Sequence, residues 1–84
     1  MKSLFSVFDS KSNLFSNPFS SINSPTAMRD FLRAANDPNS EIHHNPADFF
    51  LYSLGEFDEH TCEFIIIKPI NLGSAASLKG VTHV

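Results

Sequence analysis

Apolar and polar positions alternate with a period of two at the start of the chain. In "SLFSVF" (3–8), Leu4 and Phe8 fall on one side and Phe5 and Val7 on the other, which predicts a strand. "DSKSN" (9–13) is turn chemistry, because Asp, Ser and Asn bond their own backbone. "LFSNPFSSI" (14–22) has strand character, but Pro18 has no N–H to give a ladder, so it predicts an edge strand or an extended loop.

The period then changes. Ala27, Met28, Phe31, Leu32 and Ala35 recur at helical spacing, with Arg29, Asp30 and Arg33 on the other side. Ser24 is placed as the N-cap before a Pro25 whose missing N–H costs nothing in the first turn. Pro38 disfavours the α region at Asp37, so the helix ends by about residue 36. Residues 41–47 are expected to be a connection.

"DFFLYSLGEF" (48–57) predicts a strand with Phe50, Tyr52 and Leu54 on one face and Phe49, Leu51 and Phe57 on the other. Gly55 marks a bulge or a close backbone approach. "DEHT" (58–61) is a polar turn and "CEFIIIK" (62–68) the return strand of a hairpin. Phe64 and Ile66 face one way, Ile65 and Ile67 the other. After Pro69, "NLGSAASL" predicts a short helical turn, and residues 79–84 a frayed end. No repeat or linker divides the chain. The expectation is one α+β domain over residues 1–84, with a small antiparallel sheet of three or four strands and one helix packed on one face. Strands apolar on both sides imply a second cover for the sheet, so a homo-oligomer is expected.

Composition supports a folded domain. Eighty-four residues with 42% hydrophobic content and nine phenylalanines are enough for a thin core, with no tryptophan and one tyrosine. Cys62 is the only cysteine, so no internal disulfide forms. "MKSLFSVFDSKS" is not a signal peptide, and the apolar run Phe64–Ile67 is too short to cross a bilayer. These features predict a reducing cytoplasm and no membrane.

The net charge of −3 is unevenly spread. Residues 1–33 hold four basic and two acidic side chains, whereas residues 34–67 hold seven acidic and none basic. Coating nucleic acid normally requires a basic patch. Here the cations are scattered, and the acidic middle, read as a solvated face or as a dock for a basic protein partner, opposes such contact.

His43, His44, His60 and Cys62 do not match the closely paired ligands of a structural zinc site. Cys62 lies among acids, the wrong field for an activated thiolate, so a buried or strand-packed cysteine is expected. Glu56, Asp58 and Glu59 have no neighbouring cation to hold a phosphate. No phosphate loop, G-x-S-x-G or H-E-x-x-H is present. The expectation is a protein with no catalytic residues, no metal and no cofactor. Single-strand binding is the remaining chemistry, since aromatics with basic neighbours stack bases. Phe15 and Phe19 near Lys11 are the candidate platforms. Arg29 and Arg33, one helical turn apart, are the candidate phosphate contacts, with Lys2 and Lys11 beside them.

With the segments in order, the chain resembles the small nonstructural protein of gokushoviruses, a subfamily of the Microviridae, phages with single-stranded DNA genomes. The matching stretches are "FSVFDSKS" (5–12), "NPF" (17–19), "AMRDF" (27–31), "NDP" (36–38), "NPADFFLYSLGEFD" (45–58) and "LGSA" (72–75). They cover most of the chain in the family's order. The resemblance implies a non-enzymatic accessory protein of the infected bacterial cytoplasm, acting in single-stranded DNA synthesis and genome packaging. It would bind the viral DNA, the replication initiator or capsid proteins. The alternative is a protein–protein assembly adaptor with no direct nucleic-acid contact.

Overall fold

The computed structural model describes residues 1–81, with side chains described as far as Leu78. Five strands, β1 (Lys2–Asp9), β2 (Leu14–Phe15), β3 (Phe19–Ser21), β4 (Phe49–Asp58) and β5 (Glu63–Ser74), form one antiparallel sheet. Three helices accompany it: α1 (Ser24–Ala35), α2 (Glu41–His44) and α3 (Ala75–Val81). The order across the sheet is β2-β1-β4-β5, and β3 shares the outer edge of β1 with β2. This corrects the expected fold class. The protein is mostly a curled, half-barrel antiparallel sheet with small helices, not an α+β layer of three or four strands under one helix. Of the tail expected to fray, residues 79–81 close α3 and residues 82–84 lie outside the described residues.

Three local choices account for the difference. The segment around Pro18 forms two short strands instead of one, because serines bridge the break. The Ser6 Oγ donates to the Ser16 carbonyl at 2.8 Å, and the Val7 N–H donates to the Ser16 Oγ at 2.9 Å. Ser6 is buried with that bond made, and among the described residues no buried side-chain polar atom lacks a partner. Residues 71–74, expected as helix, extend β5, and only Ala75 onward turns helical. Ser40 caps a short α2 within the expected connection, its Oγ accepting from the His43 N–H at 3.0 Å.

Helix α1 has the predicted stripe, but Asn23 caps it, one residue before Ser24. The Asn23 Oδ1 accepts from the Thr26 N–H at 2.9 Å. Ala27, Phe31 and Ala35 pack on Phe5 and Leu51 of the sheet, with Ala75 from α3 completing the core. Val7, Met28, Ile42, Phe49, Leu72 and Leu78 surround it.

Two turns share one construction. In the β1–β2 turn, the Asp9 carbonyl accepts from Asn13 N–H, the Asp9 carboxylate accepts from Lys11 N–H, and Asn13 has φ 61. In the β4–β5 turn, Asp58 does the same for Cys62 and His60, and Cys62 has φ 63. Asparagine tolerates the left-handed region and cysteine does not. Cys62→Asn is therefore expected to raise stability by up to about 1 kcal/mol, read as a small upward shift in the thermal midpoint. A lower midpoint would show that the thiol is held in place by something other than backbone. The same turn is tied to β1 by the Met1 ammonium, 2.9 Å from the Glu59 carboxylate. That hydrogen bond raises the amine above, and lowers the carboxyl below, their ordinary pKa values.

Candidate functional site

The strand register decides which side chains share a face. Helix α1 packs on the side carrying Phe5, Val7 and Leu51. Alternation along β1 sends Lys2, Leu4, Ser6 and Phe8 to the other side. Pairing carries Phe15, Phe50, Tyr52 and Phe57 to that second side, and Phe64 and Ile66 of β5 follow. Phe57 is not where simple alternation put it. Leu4 pairs Gly55 while Phe5 pairs Ser53, so Leu54 is an extra residue and the parity of β4 flips at the bulge.

This helix-free face gathers six aromatic rings. Phe8 and Phe15 lie 4.7 Å apart, Phe15 and Tyr52 5.1 Å, and Phe8 and Tyr52 6.0 Å between centroids. Phe57 and Phe64 form a second pair at 4.9 Å. Phe15 is half exposed and forms one wall of a shallow apolar hollow of about 220 Å³ with Ser6, Ser16, Pro18, Leu54 and Pro69. The strand carboxylates Asp9, Glu56, Asp58 and Glu63 all fall on the opposite face by the same register. The sheet thus sorts its groups: aromatics and Lys2 on one side, acids on the other. The charge run seen in sequence does not become an acidic surface on both sides.

The candidate residues from sequence are divided by this arrangement. Phe15 and Lys2 lie on the helix-free face, and Lys11 sits exposed in the β1–β2 turn. Phe19 does not join them. It is half-buried on the helix side, its ring 5.9 Å from that of Phe5, and serves the core. Arg29 and Arg33 are exposed on the outer side of α1, so the sheet separates them from Phe15. Asp30 lies between them, 3.9 Å from the Arg29 Nε and 3.8 Å from an Arg33 guanidinium nitrogen, and offsets part of their charge. They border a groove of about 500 Å³ floored by Met28 and Leu32. Sequence reasoning missed Phe8, Tyr52, Phe57 and Phe64 as members of one surface, and the signal that finds them is the Gly55 bulge.

The histidines and the cysteine are spread apart. The His43 ring pairs its Nδ1 with the Ala35 carbonyl at 3.0 Å, at the end of α1, and stacks edge-on against His44. His60 and Cys62 are exposed in the β4–β5 turn, which corrects the expectation of a buried or strand-packed cysteine, because β5 starts one residue later at Glu63. Among the described residues no three metal-ligating side chains come together, and no helix is long and apolar enough to cross a membrane.

Residues 2–78 match the family model described as Phage ORF5 protein. No curated protein and no solved structure gives a significant match.

Proposed function

We propose, from the premise that this chain belongs to the Phage ORF5 protein family, that it is a non-enzymatic accessory protein of a single-stranded DNA phage of the gokushovirus type. It acts in the host bacterial cytoplasm during single-stranded genome synthesis and packaging, binding single-stranded DNA on the helix-free face of its sheet. The observation that carries this reading is the sorting of groups across the sheet. Bases stack on aromatic faces without sequence preference, and a surface free of strand carboxylates does not repel the phosphates between them. With few cations on that side, the affinity rests on stacking more than on counterion release.

Tyr52 is the only tyrosine and there is no tryptophan, so intrinsic fluorescence reports directly on this face. Adding a thymidine oligonucleotide near 50 mM salt is expected to quench Tyr52. Phe15→Ala is expected to weaken binding roughly 5- to 150-fold, the range that about 1–3 kcal/mol of lost stacking per base gives. In Arg29→Gln/Arg33→Gln the slope of log K against log salt is expected to stay unchanged. A slope shallower by about two contacts would move the site to α1. No binding by the wild-type chain at low salt would end the DNA reading.

A second reading rests on the acidic face. Glu56, Asp58 and Glu63 project together from the β4–β5 hairpin, and this suits an adaptor docking a basic partner such as a capsid or replication-initiator protein. Recovery of such a protein after nuclease treatment, lost on reversing those three charges, supports it.

A further inference from the structure

The free edge of β5 is unlike the rest of the surface. Every residue from Glu63 to Asn71 is exposed, and among the described residues β5 is paired only with β4. Phe64, Ile65, Ile66, Ile67 and Ile70 are between 38% and 67% exposed. Natural edge strands are usually blunted by charge, proline or a bulge. Here Lys68, Pro69 and the register shift opposite Ser53–Gly55 do that only beyond Ile66. Residues 64–66 are left apolar and unpaired on one side, with Glu63 as the single charge at their start.

We propose that this edge is the interface with a second copy of the chain, the two β5 strands running antiparallel about a two-fold axis at Ile65. A two-fold perpendicular to a sheet places one residue opposite itself, and the choice of that residue is constrained. Centred on Ile65, the pairs are Ile65 with Ile65 and Phe64 with Ile66 in both directions, with Glu63 opposite Ile67 at the ends. Centred on Ile66, Lys68 would face Phe64 and Pro69 would face Glu63. Centred on Phe64, Ile66 would meet Cys62 in its left-handed turn. The first register keeps Lys68 and Pro69 outside the paired segment 63–67, whereas the second brings both into it and the third brings in the Cys62 turn.

The area suits a weak pairing with the same occupant. At ~200 Å² for a whole large side chain, Phe64 to Ile67 expose about 400 Å². Two copies together then bury up to about 850 Å², the range of a weak dimer whose backbone ladder adds to it. The axis keeps each face of the sheet on its own side, so the two aromatic surfaces become one continuous surface and both α1 helices lie behind it. This inference does not depend on DNA binding and is tested without DNA.

Sedimentation equilibrium at tens of micromolar is expected to give about twice the 9.3 kDa chain mass. Ile65→Lys, on an exposed side chain, is expected to give the monomer mass with an unchanged circular dichroism spectrum. In a Cys62→Ser background, Ile65→Cys is expected to cross-link to itself under mild oxidation faster than Phe64→Cys or Ile66→Cys. Directly opposed Cα atoms in a sheet lie about 4.5–5.5 Å apart, within disulfide reach. A monomeric wild-type chain, or a dimer that survives Ile65→Lys, overturns the proposal. Cross-linking no faster at residue 65 than at 64 or 66 overturns the register.

Discussion

Gly55→Ala is expected to lower the thermal midpoint by about 4–24 °C from backbone strain alone, and further as the ladder around it opens. Gly55 has φ +134, a conformation that L side chains rarely adopt. A Cβ built there lies 2.0 Å from the Ile65 carbonyl oxygen and 3.2 Å from the Ile66 Cα, all backbone. Nothing flexible can move aside, so β4 and β5 must separate at the bulge. Backbone strain alone costs about 1–3 kcal/mol, and the broken ladder adds to it. A domain of this length has about 4–13 kcal/mol in total, and each kcal/mol is worth about 4–8 °C. Gly73→Ala is the comparison that isolates the cause. Its φ of +130 is equally strained, but the nearest atoms are side-chain atoms of Ser77 and Leu78 at 3.2–3.3 Å. It is expected to cost clearly less. Equal midpoints for the two variants would show that strain matters and the close approach to Ile65 does not.

Phe5→Ala is expected to cost about 3–5 kcal/mol, the range for removing a buried aromatic side chain, and to leave much of the protein unfolded at 37 °C. Phe5 is fully buried at the centre of the core, among Ala27, Phe31, Ala35, Leu51 and Ala75. Three of its neighbours are alanines, too short to fill the space the ring leaves, so most of that volume would stay a cavity. Phe15→Ala, half exposed in the aromatic cluster of the other face, is expected to melt within a few degrees of wild type. Urea denaturation of the pair separates the core aromatics from those left for a ligand. Similar losses in both would mean that the helix-free face is a second core.

How far the sequence could be read follows from which forces are local. The stripe of α1 and the β4–β5 hairpin are set by periodicity and by a polar turn, and both stand in the structure. The cap shifted from Ser24 to Asn23 because two adjacent residues could accept the same bond. The faces of β4 were misread at Phe57, because one extra residue at Leu54 reverses every position after it. Phe19 stands beside Pro18 and near Lys11, which fits either an exposed platform or core packing, and only the pairing of β3 with β1 decides that it lies over Phe5. Sorting of acids from aromatics was invisible along the chain, where Phe57 and Asp58 are neighbours. It depends on a register that only the folded sheet defines.

The serine bridge around Pro18 has a further meaning for assembly. It lets the outer edge of β1 be covered by strands of two and three residues with a gap between them. Such an edge offers no continuous row of backbone groups to a newcomer, whereas β5 at the far edge does. A sheet with one adhesive border and one closed border terminates after a single pairing. Two adhesive borders would let copies add head to tail into a filament. Pairing through β5 would therefore stop at discrete pairs in place of fibres, and the break at Pro18, far from that contact, helps to close the opposite border.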